Sequence, residues 1–115
     1  MPPSDYTQII YEQHDRVAKI VLNRPRYRNA QSRLLLEELD HAFGYAAEDD
    51  SIGAIVLAGA GDHFSAGHDL GTPEELADRE ERPYEEGLRG KYRRGFDQNI
   101  DMSLRWRNLP KPTVA

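Results

Sequence analysis

The sequence contains no cysteine, and it also lacks long apolar runs. Without cysteine the chain has no disulfide framework, no thiolate nucleophile and no cysteine-based zinc site. A membrane-spanning helix needs about 20 consecutive apolar residues, and no run in this sequence approaches that length. The first residues have neither the basic region nor the apolar region of a secretory signal. We therefore expect a cytoplasmic protein that has no membrane partner.

An excess of positive charge is also missing. The 15 Lys and Arg residues are outnumbered by 20 Asp and Glu residues, which gives a formal net charge of −5. Nucleic acid is therefore not expected as the main partner. A chain of 115 residues is long enough for one small domain with a modest core. Because no repeat, linker or low-complexity tract interrupts it, we treat residues 1–115 as one unit.

Apolar periodicity in the first half predicts a hairpin, a helix and a further strand. Residues 8–13 and 17–22 have the composition of two strands joined by a polar turn. Ser32 can cap a helix whose apolar residues recur at spacings of three and four, and which is expected to end near residues 48–50. Residues 54–58 are a continuous apolar run that predicts a buried strand. Strand, helix and strand in this order predict a parallel pairing and an α/β fold.

The second half of the sequence is unusually polar. Residues 72–92 are rich in Glu, Asp and Arg and are interrupted by proline and glycine, which predicts a surface helix or a mobile loop. Apolar spacing predicts another helix over residues 96–108, which Pro110 and Pro112 would end. Residues 113–115 have the composition of the first residues of a new buried strand.

One segment has a pattern that indicates a ligand site. Residues 64–70, Phe-Ser-Ala-Gly-His-Asp-Leu, follow the apolar run and a glycine turn. A buried strand, a glycine loop and a tight Ala-Gly step can direct free backbone N–H groups at a ligand oxygen. Two further motifs accompany this segment, one upstream with Leu22-Asn23-Arg24-Pro25 and Asn29-Ala30, and one at residues 109–115 with the sequence Leu-Pro-Lys-Pro-Thr-Val-Ala.

These motifs, in this order, resemble the N-terminal portion of the enoyl-CoA hydratase/isomerase family, also called the crotonase family. The resemblance covers about residues 9–115 and implies a crotonase-like (ClpP/crotonase) α/β fold, a spiral of ββα units. It implies hydration of a 2-enoyl-CoA in fatty-acid metabolism through a thioester enolate, while isomerase and other crotonase reactions stay open. The implied partner is an acyl-CoA thioester, with no cofactor apart from the coenzyme A of the substrate. A homo-trimer or hexamer is implied for the full-length form.

The resemblance also implies particular site residues. In the family, the residue after the glycine donates its backbone N–H to an oxyanion hole, and here that residue is His68. Gly67 either leaves room for the thioester carbonyl or supplies a backbone conformation that only glycine adopts readily. The residues expected to contact coenzyme A and the thioester are Arg26, Arg28, Ala30, Ala66, Gly67, Asp69 and Leu70.

Four arginines close to the first motif permit two interpretations. They are Arg24, Arg26, Arg28 and Arg33. Guanidinium groups on a loop suit a phosphorylated ligand, because they bind phosphate in a bidentate manner. The alternative is that all four are solvated loop residues.

Side chains in and near the motif could also ligate a metal ion or take part in acid/base chemistry. His63, His68 and Asp69 offer nitrogen and oxygen ligands, but a fourth ligand is lacking, and we expect no metal site. The acidic residues between positions 74 and 86 could supply a general acid or base. A run of charges is more commonly a solvated face, which is the interpretation we favour.

The family pattern extends further than these motifs. In family members the chain continues into a glycine-rich turn, which supplies the second N–H of the oxyanion hole, and then into helices that carry the acid/base carboxylates. We therefore expect the sequence to be the N-terminal part of a longer crotonase-like enzyme, since a buried strand that stops as it begins leaves an apolar edge exposed. The alternative is a truncated, non-catalytic module for coenzyme A binding or assembly that lacks the catalytic carboxylates.

Overall fold

The fold is built around a four-stranded mixed sheet. The computed structural model describes residues 3–115. Strand β1 (Ile9–His14) pairs antiparallel with β2 (Val17–Leu22), β2 pairs parallel with β3 (Ala54–Gly59), and β3 pairs parallel with β4 (Thr113–Val114). The predicted hairpin is confirmed, with its first strand displaced by one residue. The predicted parallel pairing across the helix is also confirmed.

Helix α1 (Arg33–Glu48) covers one face of this sheet. The Ser32 hydroxyl accepts a hydrogen bond from the Leu35 N–H at 3.1 Å, so the predicted cap is confirmed. At the other end of α1 the Lys111 ammonium donates to the carbonyls of Ala46 and Asp49, at 2.8 and 2.6 Å. The core lies between α1 and the sheet and includes Ile9, Ala18, Ile20, Leu22, Leu35, Leu39, Ala42, Phe43, Ala46, Ile52 and Ile55.

Two expectations about burial are wrong. In β3, predicted to be buried throughout, only Ile55 is fully buried, because α1 covers one face and alternate residues point to the other. Thr113 and Val114 were expected to enter a buried strand, and they do pair with β3. Both residues are nevertheless exposed, since β4 is the edge strand and has a single neighbour in the sheet order.

Residues 73–107 form two further helical segments. The first is α2 (Pro73–Glu81), and the second is a continuous helix made of α3 (Gly87–Gly95), a π-helical segment (Phe96–Asp101) and α4 (Met102–Arg107). We call this second segment the long helix. It begins earlier than the predicted residue 96, inside the stretch expected to be a surface helix or loop.

The local sequence around Gly90 explains the earlier start of the long helix. Glycine disfavours a helix, and the surrounding residues are polar, so the sequence does not predict the first two turns of the long helix. Gly90 is buried, and a Cβ at this position would overlap the Glu85 carbonyl, so glycine is needed for packing. Within residues 3–115, no helix is both long and apolar enough to cross a membrane.

Candidate functional site

The site is built from two segments, residues 24–32 before α1 and residues 60–72 after β3. Asn29 connects them, and its side chain is fully buried. Its Oδ1 accepts from the Arg24 N–H at 2.9 Å, and its Nδ2 donates to the carbonyls of Ala60 and His63 at 2.9 and 2.8 Å. Asn29 also adopts a φ of 57°, a left-handed conformation that Asn tolerates better than most residues. This residue therefore fixes the position of the loop that follows β3.

Ser65 makes the second set of connections. Its hydroxyl donates to the Asn29 carbonyl at 2.8 Å and accepts from the Gly67 N–H at 3.1 Å. The Gln31 side-chain amide donates to the same hydroxyl at 3.1 Å. These three hydrogen bonds hold the Ala-Gly step of the predicted motif against the segment that precedes α1.

Backbone pairing with Gln31 then sets the direction of the His68 peptide. The Gln31 N–H donates to the Gly67 carbonyl at 2.7 Å, and the Asp69 N–H donates to the Gln31 carbonyl at 2.9 Å. In this parallel bridge Gln31 bonds to the residues before and after His68, and not to His68 itself. The N–H of His68 therefore points away from Gln31.

The N–H of His68 is consequently available to a ligand. Of its neighbours, Ala66 donates to the Arg28 carbonyl at 2.9 Å, Gly67 donates to Ser65, and Asp69 donates to Gln31. Within residues 3–115, no acceptor is found for the His68 N–H, and His68 is exposed. An N–H that is held in place by its neighbours and has no internal acceptor is able to donate to a ligand oxygen.

Gly67 holds this peptide in place through its backbone conformation. Its φ is 101°, in the region that L-residues with a side chain rarely adopt. An added Cβ would meet no atom of the described chain within 4 Å. Of the two roles considered from the sequence, the structure therefore supports the conformational one directly.

The carboxylate of Asp69 is held by hydrogen bonds within the protein, although the residue was predicted to contact the ligand and does line the cleft beside His68. Its carboxylate is buried and forms an ion pair with Arg24 at 2.9 Å, while it also accepts from the Thr72 hydroxyl at 2.6 Å and from the N–H groups of Thr72 and Gly71. Burial alone would raise the pKa of this carboxyl, but the hydrogen bonds from Thr72, Arg24 and Gly71 outweigh it and lower the pKa of Asp69 to about 2. The carboxylate is therefore charged and has an internal structural role.

The remaining predicted contact residues lie around the same loop. Arg26 and Arg28 are exposed on and just after the short 3₁₀ turn Pro25–Tyr27. Ala30 is buried, and its carbonyl accepts from Arg24 at 2.6 Å, whereas Ala66 is exposed beside His68. Leu70 is 90% exposed. The structure thus brings these residues to the loops at one end of the sheet.

The four arginines do not form one patch. Arg24 and Arg33 are buried, and Arg33 donates to the Asp78 carboxylate at 2.9 Å. The interpretation of all four as solvated loop residues is therefore wrong for Arg24 and Arg33. Arg26 and Arg28 are the two that stay accessible to a phosphorylated ligand.

The acidic stretch is also less solvated than the sequence indicates. Glu75 is buried, accepts from the Arg33 N–H at 2.9 Å and pairs with Arg79 at 3.2 Å. It therefore satisfies a backbone donor at the start of α1. Sequence reasoning missed this role and those of Asn29 and Ser65. Asn29 and Ser65 each stand in a recognised motif, which is a signal for them, whereas Glu75 has none. A hydrogen bond between residues distant in the sequence leaves no local pattern.

A cleft of about 450 Å³ opens beside His68. The loop contributes His68, Asp69 and Leu70 to its lining, and Tyr84 and the long helix contribute further residues, which include Lys91, Arg94, Gln98 and Asn99. Gln98 and Asn99 belong to the π-helical segment, a feature that occurs frequently at functional sites. In residues 3–115, no group of three or more His, Cys, Asp or Glu side chains is arranged to hold a metal ion.

Comparison with known proteins identifies the family of this chain. Residues 12–103 match the family model described as enoyl-CoA hydratase/isomerase. The chain is 37% identical over 126 aligned residues to EchA13 of Mycobacterium tuberculosis, an alignment that covers 98% of this chain and 40% of the relative.

Solved structures give the same result. A probable enoyl-CoA hydratase from Mycobacterium smegmatis superposes with a TM-score of 0.80 at 40% identity, covering 96% of this chain and 41% of that one. An enoyl-CoA hydratase/isomerase from Xanthobacter autotrophicus Py2 superposes with a TM-score of 0.77 at 36% identity, covering 96% of this chain and 38% of that one. The chain therefore has the expected crotonase-like α/β fold and spans about 40% of the length of these relatives. It belongs to the enoyl-CoA hydratase/isomerase family.

Proposed function

We propose that this chain binds an acyl-CoA thioester and that the His68 N–H polarises the thioester carbonyl during hydration of a 2-enoyl-CoA. The observation that carries the proposal is the unpaired N–H of His68, held between the paired N–H groups of Gly67 and Asp69. Family membership makes an acyl-CoA thioester the natural ligand for this donor.

The donor acts where charge develops. When hydroxide adds to the β-carbon of a 2-enoyl thioester, the electron pair of the double bond moves to the α-carbon and the carbonyl oxygen, which gives an enolate. An N–H placed about 2.7–3.1 Å from that oxygen stabilises the enolate, and removing one such donor typically lowers the rate about 10²–10³-fold. Protonation of the α-carbon completes the addition of water.

The acids next to the cleft are poorly suited to proton transfer. Asp69 is paired with Arg24, and Glu75 is bonded to Arg33 and Arg79. We assign neither of them as the general acid or base. This observation favours a second candidate function for the chain, that of a non-catalytic module that binds coenzyme A or takes part in assembly.

Several further properties belong to the same proposal. Arg26 and Arg28 are exposed beside the loop, and their guanidinium groups are suited to the phosphates of coenzyme A. We propose no cofactor apart from the coenzyme A of the substrate. A role in fatty-acid metabolism, a cytoplasmic location and assembly as a trimer or hexamer are expectations from the family pattern.

The decisive experiment follows the amide of His68 directly. The ¹⁵N-labelled chain is titrated with butyryl-CoA, and in parallel with S-butyl-CoA, the thioether that lacks the carbonyl oxygen. We expect the His68 amide proton to move downfield with the thioester and not with the thioether. The Gly53 amide, which donates to the Arg16 carbonyl at 2.7 Å before the start of β3 and lies away from this loop, is the internal control and should respond to neither ligand.

Two results would contradict the proposal. One is an equal response of His68 to both ligands, since the carbonyl would then play no part. The other is the absence of any binding by butyryl-CoA. The two candidate functions are separated by adding crotonyl-CoA and following the absorbance of its conjugated thioester. Binding with turnover supports the hydratase, and binding without turnover supports the non-catalytic module.

A further inference from the structure

The cleft beside His68 has a polar lining. Apart from Leu70 and Gly95, the residues that line it have side chains with hydrogen-bonding or charged atoms, among them Tyr84, Lys91, Arg94 and Gln98. Pockets that accept an alkyl group are lined mainly by hydrophobic side chains with few polar groups. The charged side chains of this cleft therefore favour an occupant that carries a charged or polar group in addition to its hydrocarbon part.

The acids that line the cleft are already neutralised by internal partners. Asp69 is paired with Arg24, outside the cleft, at 2.9 Å. Glu75 is paired with Arg79 at 3.2 Å, and both residues line the cleft. Arg33 also lines the cleft, and its charge is compensated by an ion pair with Asp78 of α2 at 2.9 Å.

Lys91 and Arg94 remain as positive charges without a carboxylate partner. No ion pair is formed by either residue within the part of the chain that the structure describes. Both line the cleft, and Arg94 is half-buried there, whereas Lys91 is exposed. An uncompensated cation in a partly enclosed cleft attracts an anionic ligand more strongly than one in open solvent.

The long helix places these two residues on the face that meets the cleft. Positions 91, 94 and 98 are separated by three and four residues and so lie along one side of the helix. Arg94 is held over the Tyr84 ring, with its Cζ 4.4 Å from the ring centroid, and the Tyr84 hydroxyl accepts from the Gln98 amide at 3.2 Å. Arg94 is therefore partly positioned before any ligand arrives.

From these observations we infer that the acyl group of the substrate ends in a carboxylate, so that the ligand is a dicarboxylic acyl-CoA thioester. This inference rests on the proposed function, in which the His68 N–H binds the thioester carbonyl. In this inference the distal carboxylate occupies the cleft that His68 shares with Arg94 and Lys91, so that Arg94 binds it through its guanidinium and Lys91 contributes a point charge.

The test compares glutaryl-CoA with pentanoyl-CoA, two thioesters of the same acyl length that differ in the terminal carboxylate. Affinities are measured by calorimetry on the full chain. Hydrogen bonds to charged groups predict that glutaryl-CoA binds roughly tenfold more tightly. The Lys91→Gln/Arg94→Gln double variant is expected to reduce this preference to about onefold, since both cations are lost.

Arg89→Gln is the matched control, because Arg89 lies on the same helix, is exposed and does not line the cleft. It is expected to keep the preference for glutaryl-CoA. Should the double variant fail to fold, as judged by circular dichroism, the exposed Lys91→Gln change alone is expected to lower the preference.

Each contrary result has a distinct meaning. Equal affinity of the natural chain for the two thioesters overturns the carboxylate assignment and leaves the proposed function standing. A double variant that loses affinity for free coenzyme A as strongly as for glutaryl-CoA also overturns it, since the two cations then bind the phosphates of the coenzyme. A natural chain that binds neither thioester overturns both proposals.

Discussion

Arg24 and Asp69 form an ion pair at 2.9 Å in which the two side chains are only 3% and 1% exposed, although 45 residues separate them in the sequence. The same guanidinium donates to the Ala30 carbonyl and to the Thr72 hydroxyl. This one side chain therefore joins the segment before α1 to both ends of the turn that leads into α2. The loop that presents His68 is held between these connections.

Loss of one partner of this pair should strongly destabilise the protein. In Asp69→Asn the buried Arg24 guanidinium keeps only the half-exposed carboxylate of Glu74, at 3.3 Å, and loses its buried counter-charge. Removal of one partner of a buried ion pair typically costs about 3–5 kcal/mol. We expect a decrease of this size in the free energy of unfolding, measured by urea denaturation. Asp62→Asn is the control, because Asp62 is exposed in the same loop. A decrease no larger than that of the control would contradict the structural role.

The pKa of Asp69 predicts how stability depends on pH. Because its pKa is lowered from 3.8 to about 2 in the folded state, the carboxylate contributes stability that is fully present above the unfolded pKa. That contribution is lost as the pH falls toward 2. The free energy of unfolding should therefore decrease between about pH 5 and pH 2.

Comparison with Asp69→Asn isolates this contribution from those of other acids. The pKa of Asp78, for example, is also lowered, chiefly by its hydrogen bonds from Arg82. The natural chain should lose more stability than the variant over the acidic range, since only the natural chain loses the Asp69 charge. Parallel curves for the two proteins would show that Asp69 does not titrate as described.

Asn29 combines three side-chain hydrogen bonds with a left-handed backbone, and two variants separate these effects. Asn29→Gly keeps the conformation and loses the bonds, whereas Asn29→Ala loses both. Loss of the bond from the buried Arg24 N–H leaves that donor unsatisfied, at about 1–3 kcal/mol, and loss of the two part-buried bonds to Ala60 and His63 should cost less. The alanine variant should be less stable than the glycine variant by about a further 1 kcal/mol. Equal thermal midpoints would show that the backbone conformation carries no cost.

Gly67 should control ligand binding more than folding. Gly67→Val places a β-branched side chain at a φ of 101°, so the peptide of His68 must rotate or the loop must shift. We expect loss of acyl-CoA binding, measured by calorimetry, in a chain that keeps its circular dichroism spectrum. The control is Gly44→Ala in α1, where a Cβ meets no atom within 4 Å and the helix should gain about 0.5–1 kcal/mol. Unchanged affinity of Gly67→Val for acyl-CoA would contradict the placement of the binding site in this loop.

The parts of the fold that the sequence predicts correctly are those with a local pattern. The apolar alternation of β2 and the capped, periodic α1 both follow from residues close together in the chain. The long helix was recognised only in part because Gly90 disfavours a helix locally, while its packing against Glu85 is a tertiary contact. Periodicity also does not reveal that β3 is covered on one face alone.

In the candidate site, too, the sequence predicts the features that have a local pattern and misses those that depend on contacts between distant residues. The motif places His68 and Gly67 correctly in one loop, but the partners that direct the His68 N–H come from the segment before α1. Glu38 is a further example, since it is buried in α1 and accepts from the N–H groups of Thr7 and Gln8 at 2.8–3.0 Å. A glutamate on a helix has no local feature that distinguishes such a role from a solvated position.

The parallel pairing of β2 with β3 also bears on the order of events during folding. The β1–β2 hairpin joins neighbouring residues, whereas β2 and β3 are separated by the whole of α1, so their pairing closes a much longer loop and is expected to come later. The loop after β3 can reach Asn29 only when that pairing exists. We therefore expect the His68 donor to be among the last features to form, so that binding of an acyl-CoA reports completion of the fold.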